Sequence, residues 1–486
     1  MSITSARIAS LTHMFSYLTN RIALFIPTLL LASMLTFGLS KLAGGDPVLD
    51  YLGSDPFGTV TDAPHLLRAE NIYRRAAHKL SLDRPAFYFS FTSQAYPDTL
   101  HKILLKQRRE TAEKLIAQYG NWPQIEAYLH SLRNMEIETR SLPDSLASAA
   151  TPVNIPLQDL YIDYKNKTIE NRLAEIGQVV FKNKKLAAFL GSPFNDLKNK
   201  YAAVISEATP GKLKIPAVRW HGTGNQYHIW ISNFVKGNFG ISTFDQRPVT
   251  AKLAPAIFWT LAVNISAILL AFLISVPLGV WSAARKGSRF DKTTTVGLFM
   301  LYSLPAFWIG TMLLIFFTTK EYGMPFFAGP GLGEVPSAAP WWEKLWSAMP
   351  HLFLPVICVT YPALAFITRQ VRGSMVNVLG QEYIKTARAK GLSEKKVIWK
   401  HGFRNALSPI ITMLASVFPA AIAGSVVIEV IFNIPGMGWL TYGAILQKDW
   451  PVVFAVMMLG SVLTVVGILV SDVLYAITDP RVRFGK

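Results

Sequence analysis

The residue types that carry enzyme chemistry occur in this sequence, but not at working spacings. Nine histidines are scattered through 486 residues without a metal-ligand interval. There is no H-E-x-x-H, and no G-x-x-x-x-G-K-[ST], the loop whose backbone amides cradle phosphate. No catalytic residue, cofactor or bound metal is therefore expected, and no ATP hydrolysis by this chain. Cys358 is the one cysteine and sits in an apolar run, so neither an intrachain disulfide nor a CxxC pair can form. Two acids stand out by placement. Glu429 lies close to the outer end of one apolar run, and Asp472 lies deep in another. Ionisable groups inside membrane spans are costly, so a solute-pathway role is the first reading. The plainer reading is an interfacial position, hydrated or paired; Asp472 near the cytoplasmic end would then pair with a base or cap a helix.

A third feature is a run of spacing rather than a single group. Residues 382–393 read Glu-Tyr-Ile-Lys-Thr-Ala-Arg-Ala-Lys-Gly-Leu-Ser. Helix formers continue to Gly391, which tolerates φ > 0 and can end a helix. Ser393 is placed to N-cap a second helix through Lys400, with Glu394 in its first turn. A short amphipathic helix closed by a glycine turn makes a rigid knob, and Ala387 and Ala389 are small enough to let another surface approach. The same residues also suit a basic loop resting near anionic headgroups.

The elements that must position these residues are membrane spans. Half of the chain is hydrophobic, 16% is charged, and the mean hydropathy is +0.30. A soluble chain carries roughly a quarter of its residues charged. Apolar runs able to cross a bilayer fall at about 22–39, 257–280, 296–317, 352–368, 407–431 and 452–477. Pro277, Pro305, Pro355, Pro362 and Pro419 inside them are tolerable where neighbouring helices satisfy the freed carbonyls. The first run is longer than a signal-peptide core and reads as an uncleaved anchor. The net charge of +18 is topological rather than a nucleic-acid signature, because with the N-terminus inside, short inner segments hold 18 Lys and Arg. Short outer loops hold three: Lys320, Lys344 and Lys448. Both termini are expected in the cytoplasm, and 42–256, which is too long for a plain loop, outside it. Within that region Ile125, Tyr128, Leu129 and Leu132 form one helical face, 171–190 is helix-like, and 141–156 reads as a Ser/Ala/Pro linker. The fold class expected is all-α: a polytopic membrane protein of six transmembrane helices with a mostly helical extracytoplasmic insertion.

The 382–393 stretch resembles the EAA loop of ABC importer permeases, in the version of the dipeptide/oligopeptide/nickel family. Lys385, Thr386 and Ala387 stand where other ABC families have Glu-Ala-Ala; Arg388, Ala389 and Lys390 lead to Gly391, the family glycine. His401-Gly402-Phe403-Arg404-Asn405-Ala406-Leu407 and Pro409 continue the likeness. Lys385 in place of the acid, and the wide spacing from Gly391 to Pro409, depart from the sugar-permease pattern and are features of the peptide type. Gly45-Asp46-Pro47, Leu82-Asp83-Arg84-Pro85, the segment 238–248, Leu304-Pro305-Ala306-Phe307-Trp308, Pro435-Gly436-Met437-Gly438, Asp449-Trp450-Pro451, Asp472-Val473-Leu474-Tyr475 and Asp479-Pro480-Arg481 also resemble family elements. The likeness covers 20–90 and 226–486. It divides the chain into 1–85, with the first span; 86–226, an insertion; and 227–486, the permease core.

The resemblance implies a bacterial inner-membrane subunit working by alternating access beside a second, related permease subunit. Two ABC ATPase subunits would bind inside, at the coupling loop, and an extracytoplasmic substrate-binding protein would deliver solute. Peptide, nickel and other small solutes share this permease type. An intramembrane enzyme would need paired carboxylates or Ser/His deep in the spans, and a secondary transporter an inverted repeat; the sequence supplies neither.

Overall fold

The computed structural model describes residues 3–42, 44–58, 60, 62–103, 105–321, 323–333, 339–407, 410 and 425–478. It forms two compact units, one of 1–43 with 239–486 and the other of 44–238.

The first unit holds the spans. Among the described residues, four helices are long and apolar enough to cross a bilayer: α1 (Ile3–Leu42, over Arg21–Leu42), α10 (Val249–Ala284), α13 (Trp341–Leu379) and α18 (Trp450–Thr478, over Trp450–Val473). Leu24, Leu31, Leu35, Leu269 and Leu273 on these helices are exposed, as expected where lipid is the solvent. The run expected to be a single third span is two helices, α11 (Arg289–Ser303) and α12 (Ala306–Thr318), bent by 90°. Pro305 causes the break: its ring pushes Leu304 to an extended ψ of 128°, and the Leu304 carbonyl accepts the Tyr361 hydroxyl at 2.8 Å instead of a helical amide. The fourth expected span lies inside α13, which runs on through Pro350, Pro355 and Pro362. Most of the fifth expected span, with Pro409 and Pro419, lies outside the described residues; its far end is α16 (Val426–Ile431), followed by α17 (Met437–Leu446). Helices α10 and α13 pack closely at Gly279, where a Cβ would come within 2.7 Å of the Val371 Cβ.

The second unit contains α2 (Pro47–Leu52), α3 (Ala63–Lys79), α4 (Lys106–Tyr119), α5 (Trp122–Arg140), α6 (Asp144–Asp159), α7 (Asn166–Lys182), α8 (Lys184–Ser206) and α9 (Gln226–Val235). Strands β1 (Phe89–Ser93) and β2 (Pro216–Trp220) add one antiparallel ribbon. The expected face of α5 forms the core: Ile125, Tyr128 and Leu132 are fully buried, and Leu129 packs at the edge. The expected linker 141–156 is instead helical. Its Leu146, Ala150, Val153 and Leu157 recur on one face and are buried, and this overrides the Ser/Ala/Pro composition. The helix-like 171–190 is two helices broken at Asn183, whose side chain accepts from the amides of Lys185 and Leu186.

Candidate functional site

The knob forms at the end of α13. After Gly380 the chain starts α14 (Glu382–Ala389), turns at Gly391 with φ +76°, and enters α15 (Glu394–Lys396) and a π-helical turn, Val397–Phe403. Ser393 occupies the N-cap position, but its side chain makes no capping bond; its carbonyl takes the amides of Lys396 and Val397. Ile384 and Ala387 are buried against Val397 and Leu392. Ala387 is therefore inside the knob, and the expected close approach of another surface at that residue does not describe it. Ala389, Lys385, Thr386, Arg388 and Gly391 are on the exposed side. Arg388 Nε donates to Glu394 Oε1 at 2.8 Å, tying α14 to α15 across the turn, and Lys385 pairs with Glu382 at 2.7 Å. Gly402 lets the π turn press on α13, since a Cβ there would meet Leu379 at 3.1 Å and Met375 at 3.3 Å.

About two turns back from the end of α13, Arg372 grips Asp291 with both arms, Nε to Oδ1 at 2.6 Å and Nη2 to Oδ2 at 2.7 Å. Asp291 is buried and also accepts from Ser282 Oγ at 2.6 Å and the Gly287 amide at 2.9 Å. One carboxylate thus joins the end of α10, the 285–288 turn, the start of α11 and α13. Bidentate Arg–carboxylate geometry fixes orientation as well as distance.

The two acids singled out by placement have partners. Glu429, 2% exposed, accepts from Thr260 Oγ1 at 2.9 Å and from the amides of Gly438 at 2.7 Å and Trp439 at 3.0 Å. It caps α17, and the glycines of Pro435-Gly436-Met437-Gly438 are required to fold over it. A Cβ at Gly436 would lie 2.6 Å from the Glu429 carboxyl, and one at Gly438 2.6 Å from the Val426 Cα. Asp472 on α18 lies 3.4 Å from Arg21 on α1. A third acid, Asp449, is buried and binds Ser242, the Thr243 amide and Lys252. Lys252 also reaches Asp245 at 2.9 Å; partial burial pushes that carboxyl up, but the bonds from Lys252 and Ser242 prevail and hold it below its usual range. Among the described residues no group of three or more His, Cys, Asp or Glu is arranged to hold a metal ion.

Residues 275–484 match the family described as binding-protein-dependent transport system inner membrane component. An oligopeptide transport system permease protein (AppB) of Bacillus subtilis is 38% identical over 260 residues, covering 53% of this chain and 80% of that protein. A dipeptide transport system permease protein (DppB) of Escherichia coli is 34% identical over 276 residues, covering 54% and 81%. A peptidoglycan transport system permease protein (YejB) of Agrobacterium fabrum is 34% identical over 266 residues, covering 52% and 70%. The chain belongs to this family. It is a multi-pass inner-membrane permease subunit of an ABC importer, a complex it forms with other subunits. The permease carries more chain than these relatives match, since each alignment takes in most of the relative and little over half of this sequence.

Several motifs separated in the sequence meet in the permease. The 238–248 segment meets Asp449 through Ser242 and Thr243, and Pro435-Gly436-Met437-Gly438 closes on Glu429 and Thr260. Asp291 and Arg372 escaped sequence reasoning. The only local signal is Ser288, whose side chain caps the amide of Asp291 and marks a helix start.

Proposed function

We propose that this permease subunit imports peptides and that α14 is its coupling helix. The carrying observation is the rigid path behind the knob: α14 seats on Val397, the π turn presses on Met375 and Leu379, and Arg372 grips Asp291 at the ends of α10 and α11. A push on the exposed side of α14, formed by Lys385, Thr386, Arg388 and Ala389, would reach three spanning elements without crossing a flexible link. Two separate ABC ATPase subunits supply that push, one on this chain and one on a second, related permease. Only contacts that differ between the nucleotide states can shift the spans from outward- to inward-open. The excess of Lys and Arg in short segments on the knob's side supports a topology with α14 and both termini in the cytoplasm and residues 44–238 outside. A substrate-binding protein delivers solute there, and 86–226 acts as an outer cap that contacts it or narrows the entrance. The peptide assignment rests on the relatives, whose names specify oligopeptide, dipeptide and peptidoglycan transport.

Glu429 and Asp472 serve as structural pairs in this scheme: the first caps α17 and the second ties α18 to α1. The deciding experiment is reconstitution with the ATPases and binding protein and Gly391→Pro in this chain. The substitution cannot hold φ +76°. ATP hydrolysis without peptide uptake is the expected result, and normal coupled uptake would refute the role of the knob.

A further inference from the structure

The β1–β2 ribbon of residues 44–238 presents a bare aromatic face. Its register pairs Phe89 with Trp220 and Phe91 with Val218, so the four share one side. Phe91, Trp220 and Val218 keep 76%, 72% and 67% of their surface, and Phe89 38%. The opposite side is tied down: Arg219 donates to the Tyr96 carbonyl, and His221 bonds Ser90. Rings continue past the end of the ribbon. Tyr88 stacks on Trp220 with centroids 6.2 Å apart, and Phe87 lies 4.8 Å from Tyr227. A contiguous exposed patch of this kind marks an interaction surface.

Three observations select its occupant. The patch is an apolar cluster of two Phe, one Val and one Trp with Tyr88 stacked on the Trp, the kind of face that seats at the membrane–water boundary, where Trp and Tyr gather. The β2 flank is basic, with four Lys and Arg and no Asp or Glu in 210–238, while the β1 flank carries Asp83 and Asp98, the latter 3.4 Å from His221. That stretch runs directly into Phe239, where the span-carrying unit resumes, so the ribbon is tethered to the bilayer. A two-stranded ribbon has unpaired backbone edges, which headgroups and water can satisfy and hydrocarbon cannot.

We infer that this face rests in the headgroup layer of an anionic phospholipid membrane and anchors the 44–238 unit to the bilayer surface. The inference goes beyond the transport reading and needs only that the chain is a membrane protein. Cys358 is buried, so introduced cysteines can be labelled selectively. Spin labels at Phe91→Cys and Val218→Cys, with Lys198→Cys on the exposed side of α8 as the reference, are placed on the full chain in phosphatidylethanolamine/phosphatidylglycerol nanodiscs. Relaxation by oxygen, which partitions into lipid, is compared with relaxation by a water-soluble nickel chelate. An oxygen-to-chelate relaxation ratio clearly higher at 91 and 218 than at 198 is the expected result. The same ratio at all three positions would overturn the anchor, and exclusion of both relaxants at 91 and 218 would also overturn it, because a protein surface would then cover the ribbon.

Discussion

Two carboxylates carry the most local consequence. Glu429 satisfies three donors, two of them buried, so Glu429→Ala leaves the Gly438 and Trp439 amides and the Thr260 O–H without an acceptor. Each buried orphan costs about 1–3 kcal/mol. The purified permease should melt well below the parent in detergent, whereas a pathway acid would lose uptake with its melting unchanged. Asp291 makes a comparable prediction. Asp291→Asn or Arg372→Gln alone should destabilise by about 3 kcal/mol, because removing one partner strands the other. The double variant should recover part of that loss, and the recovery measures the pair. The sequence showed that Glu429 was costly but not how it was accommodated, because its partner Thr260 is 169 residues away. The Asp291–Arg372 pair spans 81 residues and leaves no periodic trace.

At the scale of elements, α14 separates two kinds of small residue that look alike in the sequence. Ala387 is buried and Ala389 is exposed. Ala387→Phe should unseat α14 from Val397 and lower the melting temperature. Ala389→Trp should leave melting unchanged but cut coupled peptide uptake by about tenfold or more, the loss expected when a contact worth roughly 1–2 kcal/mol is blocked. Equal melting losses for the two would mean that neither side of the helix is free. The knob and its glycine turn were legible because helix propensity, Gly391 and the family likeness agree locally. The 90° break at Pro305 was not, because hydropathy averages over a window and is indifferent to direction. The α6 helix was hidden by its Ser/Ala/Pro composition, since four buried apolar side chains outweigh it only once α5 and α7 are in place.

For the whole molecule, the proposed topology predicts which residues a reagent outside the cell can reach. Ser145→Cys should react with an impermeant thiol reagent on intact spheroplasts, and Ser393→Cys only after permeabilisation. Both positions are exposed. The ends of 86–226 meet in space, since the Gln226 amide donates to the Pro85 carbonyl at 2.9 Å and that of Tyr227 to Ala86 at 3.1 Å. A short Gly/Ser bridge can therefore replace the segment. The shortened permease should assemble yet show weakened delivery from its binding protein, and unchanged dependence on that protein would make the cap dispensable. The central claim is that α14 receives the stroke of an ATPase. Its most direct test is a photoreactive side chain at Lys385, exposed on α14, in the assembled importer in native membranes. The account predicts a crosslink to an ATPase subunit whose yield changes between the nucleotide-free and ATP-trapped states. No ATPase crosslink at Lys385 in either state, in an importer that still transports, would contradict it.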